Sequence, residues 1–115
     1  MSTTYTEQGL PEDVKNVHRA IASLIEELEA INWYHQRVAV TEEPELKSIL
    51  AHNRDEEVEH ACMTLEWLRR VMPQFDEQLR TFLFTSGPIG HANHAEESGG
   101  ASGSLGIGSL SKGGK

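Results

Sequence analysis

Two stretches of helical apolar period, each about 28 residues long, are separated only by Thr41-Glu42-Glu43-Pro44, and this juxtaposition constrains the chain more than any other feature. In the first, Val14, Val17, Ile21, Leu24, Leu28, Ile31 and Val38 recur at three- and four-residue spacing behind Pro11-Glu12-Asp13, a proline and two acids where a helix N-terminus favours them. In the second, Leu46, Ile49, Leu50, Met63, Trp67, Leu68 and Val71 repeat the period up to Pro73. At 1.5 Å per residue each helix spans roughly 42 Å, and so short a connection folds them back on each other. The expected fold is all-α: an antiparallel two-helix hairpin with a capping residue in the break, then a shorter third helix over residues 74–84 carried by Phe75, Leu79, Phe82 and Leu83.

A lone hairpin leaves apolar groups uncovered. Val58, Ala61, Cys62 and Leu65 lie away from the main face of the second helix, and Trp33 lies opposite the stripe of the first. Surplus apolar surface marks interfaces, so the expected assembly is a dimer that completes a four-helix bundle, with a second interface near Trp33. Cys62, the single cysteine, excludes a disulfide within the chain and is expected to be a packed, inert thiol.

Composition divides the chain. Residues 86–115 hold nine of the ten glycines and six serines, too little apolar surface to offset chain entropy, so this tail is expected to be disordered. The 85 residues before it carry 8 Lys+Arg against 16 Asp+Glu, so the net charge of -8 belongs to the folding part. An acidic body argues against nucleic acid and anionic membranes as partners and favours cations. No apolar run approaches membrane-spanning length, and Met1 to Gly9 has neither a basic nor an apolar segment, so a cytoplasmic location is expected. The expected boundaries are a flexible N-terminus (1–11), a helical hairpin domain (12–85), a Gly/Ser-rich linker (86–103) and a terminal peptide region (104–115).

The chemistry lies where the second stripe stops being apolar. Between Leu50 and Met63 the main face passes through Asn53, Glu57 and His60. A Glu-x-x-His pair points both side chains the same way, as helical bundles do when presenting carboxylate and imidazole to one metal. Glu27 sits on the flank of the first stripe, about 15 residues before a turn near residue 42, and Glu57 about 15 after it, so the two face each other at similar height. One Glu plus one Glu-x-x-His is half of a two-metal carboxylate site, and a two-fold axis between chains would supply the other half. Four carboxylates then balance two divalent ions. Oxygen and nitrogen ligands without thiolate suit iron or manganese better than a structural zinc site, with zinc, cobalt or calcium as substitutes.

Other residues admit two readings. Tyr34, one heptad after Glu27, is a metal ligand, a hydrogen-bond partner of the site or a core tyrosine. Glu26, Glu29 and Trp33 share the far side of the first helix, a solvated acidic face in preference to a cation uptake site at an oligomer interface. His52 at the edge of the second face reads as a surface histidine paired with Glu56, with a place beside the metal ligands as the alternative. His91 and His94 in the tail carry no mechanism.

These residues occur in runs that resemble the encapsulated ferritins: Glu26-Glu27-Leu28-Glu29-Ala30, Trp33-Tyr34, His52-Asn53-Arg54-Asp55-Glu56-Glu57-Val58-Glu59-His60-Ala61, Met63-Thr64-Leu65-Glu66-Trp67-Leu68-Arg69-Arg70 and Arg80-Thr81-Phe82-Leu83-Phe84-Thr85. The likeness covers about residues 12–90. In the tail, Leu105, Gly106, Ile107, Gly108, Ser109 and Leu110 resemble the targeting peptide that docks cargo inside encapsulin shells, its alternating apolar residues suited to small pockets on a partner. The resemblance implies a ferritin-like bundle formed only on dimerisation and a ring-shaped decamer of five dimers. It also implies a ferroxidase that oxidises Fe(II) with dioxygen, two irons per dimer, and delivers Fe(III) for mineralised storage inside an encapsulin nanocompartment. Glu27, Glu57 and His60 become iron ligands with Tyr34 as neighbour, and His52 lies close to the centre. Glu26, Glu29 and Trp33 become the uptake site, reversing the preference drawn from the residues alone. Two rival readings use the same sequence: a non-redox metal-binding or regulatory hairpin, and a helical adaptor that only recruits cargo to a shell.

Overall fold

A computed structural model describes residues 5–90, and among them every regular element is a helix: α1 (Glu12–Val40), α2 (Pro44–Val71) and α3 (Pro73–Phe82). His91, His94 and the terminal peptide with Leu105 to Leu110 lie outside the described residues. No described helix is long and apolar enough to cross a membrane.

Each helix starts at a proline-marked break. Pro11, in extended conformation, precedes α1, and its carbonyl accepts the Lys15 N–H at 3.1 Å. Asp13 Oδ1 accepts the Val14 N–H at 3.0 Å, and Arg19 reaches back to Glu12 at 2.9 Å, holding the Glu12 carboxyl below its ordinary value. The three-residue break, 41–43, divides its work between two side chains. Thr41 closes α1, its hydroxyl and N–H both donating to the Arg37 carbonyl, at 2.6 and 3.0 Å. Glu43 caps α2, its Oε1 accepting the Leu46 N–H at 2.7 Å, while Pro44 takes the first helical position, where its missing N–H costs nothing. At the other end of α2, Arg69 and Arg70 suit the negative end of the helix dipole. Both share Glu66, whose carboxyl they draw down to about 2.

The third helix is shorter than the expected 74–84. It begins at Pro73 and stops at Phe82: the Leu83 N–H makes the last ladder bond, to the Leu79 carbonyl at 2.9 Å, but Leu83 itself is extended, with ψ 147°, and Phe84 turns into the left-handed region at φ 61°. The chain divides into two units, with the boundary between Val71 and Met72.

Within the hairpin, α1 and α2 pack along their length. Val17, Ala20, Leu24, Glu27, Ile31, Tyr34 and Val38 form the half-buried stripe of α1, and Leu50, Glu57, Ala61, Thr64 and Leu68 that of α2. Val14, Ile21 and Leu28, which the sequence pattern assigns to the same stripe, are exposed instead, Leu28 to 54 %. A single facing helix covers less than the full width of an apolar stripe, so the flank at heptad spacing stays bare. Only Ala61 and Leu68 are buried among the described residues. Full burial of one leucine yields about 1.5–3 kcal/mol, against a backbone ordering cost of about 1–2 kcal/mol per residue, so a hairpin with this core depends on further cover.

Candidate metal centre

The expected polar break in α2 divides: Glu57 lies on the inward stripe, and His60 beside it is exposed. Glu57 Oε1 lies 3.6 Å from His60 Nδ1, with the glutamate half-buried and the imidazole half-exposed. Both sit one helical turn apart on the face that continues into the exposed Met63 and Trp67.

Glu27 approaches from α1. Its Oε2 lies 3.5 Å from the Thr64 hydroxyl, and that hydroxyl is also 3.1 Å from the His60 carbonyl oxygen. Its other oxygen, Oε1, is buried without a hydrogen-bond partner. An unsatisfied buried polar atom costs about 1–3 kcal/mol, so the site is one that a cation or a further donor would relieve.

Glu27 therefore meets a residue one heptad further along α2 than Glu57, the residue that counting outward from the turn sets opposite it. Helical side chains lean toward their own N-terminus, so in an antiparallel pair the α1 carboxylate reaches away from the turn while α2 side chains lean toward it. Glu57 and His60 are paired with each other, and Glu27 with Thr64. Among the described residues of one chain, no group of three or more His, Cys, Asp or Glu comes together to hold a metal ion.

Beside these residues runs an open groove of about 430 Å3 lined by Asn16, Arg19, Ala20, Ser23, Met63, Thr64 and Trp67. Its apolar wall is bare, with Met63 62 % exposed. Thr64 escaped sequence reasoning, although its spacing of four from His60 and seven from Glu57 puts it on the same face.

The remaining candidates scatter. Tyr34 is half-buried on the inward stripe, and the Arg37 guanidinium lies 5.5 Å from its ring centre. Glu26, Glu29 and Trp33 are exposed on the side of α1 turned from the inward stripe. His52 is exposed and paired with Glu56 at 3.2 Å. Cys62 is exposed, contrary to the expected packed thiol, because its position on α2 lies off the strip that α1 covers.

A family model described as EncFtn-like matches residues 2–86. An encapsulated ferritin-like protein of Rhodospirillum rubrum is 54 % identical over 114 residues, spanning 88 % of this chain and 81 % of the relative. A ferritin-like protein of Thermotoga maritima is 58 % identical over 92 residues, spanning 77 % of this chain and 80 % of the relative. The crystal structure of a protein from Nitrosomonas europaea, 56 % identical, superposes with a TM-score of 0.73 over 76 % of this chain and 98 % of that one.

Proposed function

The chain belongs to the EncFtn-like family, and on that footing we propose that it oxidises Fe(II) with dioxygen at a two-iron site completed by a second copy. The observation that carries this reading is the Glu27 carboxylate, in contact with Thr64 at one oxygen and buried without a partner at the other, beside the turn of α2 that bears His60. One chain supplies two carboxylates and one imidazole, too few to enclose two metal ions. A second copy laid against the Met63–Trp67 groove doubles the set and covers the apolar wall in the same step.

In that assembly Glu27, Glu57 and His60 of each chain bind Fe(II), the substrate, and Tyr34 borders the site. The four carboxylates neutralise two divalent ions, and their negative charge favours the higher oxidation state as electrons leave for dioxygen. Apolar cover from Met63, Trp67 and their symmetry copies limits water at the reacting ions. Glu26, Glu29 and Trp33 form an uptake site on the outer side of α1, with His52 near the centre, and five dimers close into a ring. Manganese, zinc, cobalt and calcium compete as non-productive ligands. The terminal peptide, residues 104–110, docks the assembly inside an encapsulin shell, where the oxidised iron is stored. That shell partner is supported by the encapsulated relative of Rhodospirillum rubrum.

The test is oxygen uptake on mixing the full-length protein with Fe(II). Wild type consumes oxygen faster than free Fe(II), and Glu57→Ala or His60→Ala loses most of that excess, because removing one ligand disables both metals. Wild-type rates in both variants would overturn the site.

A further inference from the structure

We infer that Thr64 is a positioning residue for the metal site: its hydroxyl fixes Oε2 of Glu27 and so turns Oε1 toward the incoming cation. This rests on the two-iron reading above. Thr64 occupies the inward stripe of α2 between Ala61 and Leu68, the two buried residues of the hairpin. A hydroxyl in that row forfeits packing that valine would supply at the same volume, unless its hydrogen bond matters.

The hydroxyl has one proton and two acceptors in reach, the His60 carbonyl at 3.1 Å and Glu27 Oε2 at 3.5 Å. The carbonyl lies inside α2, where the helical ladder already supplies it with the backbone N–H four residues on. The Glu27 carboxyl group has its second oxygen buried without a hydrogen-bond partner. A carboxyl oxygen without other donors gains more from the proton than a carbonyl already served by the helix, so the hydroxyl is assigned to Glu27. One contact ends on the His60 carbonyl of α2 and the other on Glu27 of α1, so one side chain ties the α1 ligand to the helix that carries His60. Partners that orient a metal ligand in this way typically govern affinity by tenfold or more.

The experiment is an anaerobic calorimetric titration of the metal-free, full-length protein with Co(II), a divalent probe that dioxygen leaves unchanged at neutral pH with these ligands. Thr64→Val is expected to weaken Co(II) about tenfold, the low end for such a partner because the resting contact is long, and Thr64→Ser to return it to within about twofold of wild type. Equal affinity in Thr64→Val, or a serine variant as weak as the valine one, overturns the role. Glu27→Gln is the control: if it too leaves Co(II) affinity unchanged, the metal reading itself falls, whereas loss there with no loss in Thr64→Val removes only Thr64. A second readout needs no metal. In protein labelled with 13C at glutamate carboxyls, Thr64→Val shifts one carboxylate stretch, and the shift is absent when Glu27 is already glutamine. A shift that persists in that background would show that the hydroxyl serves another group.

Discussion

His35 Nδ1 and Arg54 Nη1 lie 3.2 Å apart across the hairpin. Asp55 steadies the guanidinium from its other edge, its Oδ1 accepting from Arg54 Nε at 3.0 Å. His35 falls one heptad after Leu28, on the flank that carries Val14 and Ile21. The contact clamps the two helices near the turn and touches none of the proposed ligands. Arg54→Met, which keeps the apolar stem, should cost about 1 kcal/mol of stability by denaturant titration at fixed protein concentration, with Fe(II) oxidation unchanged. An unaltered midpoint would show that the clamp contributes nothing.

Glu66 supplies the pH prediction. Its carboxyl is drawn from 4.5 down to about 2 by Arg69 and Arg70, which it meets at 2.8 Å each. A folded-state value below the unfolded one means the unfolded chain binds the proton first. The contribution is then complete above 4.5 and disappears as pH falls from 4.5 through about 2. Carboxyl 13C shifts followed through an acid titration should show one glutamate with a midpoint near 2, absent in Glu66→Gln. All glutamates titrating near 4.5 would contradict the pairing.

How much of this was legible in the sequence depends on which force wrote each feature. Pro11, Pro44 and Pro73 act locally, so the helix starts could be read directly. The inward strip could not. Periodicity marks an apolar stripe without saying which part a single neighbour covers, and the structure turns Ala20, Glu27 and Tyr34 inward while leaving Val14, Ile21 and Leu28 bare. The Glu57–His60 pair was visible because both residues share one helix. Glu27 with Thr64 was not, because the lean of side chains in an antiparallel pair displaces contacts by about a heptad from positions of equal height.

The bare groove makes a prediction that involves no ligand. Met63 is 62 % exposed and sits beside Trp67 on the wall where the second copy is proposed to dock. Met63→Lys would place a cation in that apolar wall, where burying it costs several kcal/mol unless it is paired. The variant should be smaller by native mass spectrometry and inactive toward Fe(II), with helical content retained by circular dichroism. An assembly of unchanged mass would move the shared site to another face.

Residues 104–115 hold no acidic or histidine ligand and follow a Gly/Ser-rich stretch. Their removal should spare Fe(II) oxidation and abolish loading into a co-expressed encapsulin shell. Undiminished loading would assign docking to the helical part.

Metal should also govern assembly. If two chains each bring Glu27 and Glu57 into one bundle core, four carboxylates meet where like charges repel more strongly than in water. The metal-free dimer must bear that repulsion with only apolar contact from residues such as Met63 and Trp67 to oppose it. A divalent ion whose ligands come from both chains binds the dimer and not the monomer, so it shifts the equilibrium by mass action, by about 2.7 kcal/mol at a free concentration one hundred times its dissociation constant. That is close to a hundredfold in the association constant, enough to convert a mostly dissociated sample at micromolar protein into closed oligomers. The expected behaviour is smaller species in chelator and larger ones as Fe(II) is added without oxygen, with Glu57→Ala blunting the response because it removes a ligand from each half. Native mass spectrometry across the titration reads this directly. An oligomer distribution that stays constant from metal-free to saturated would mean that apolar contact alone holds the dimer, and the two-iron site would then be filled in an assembly already formed.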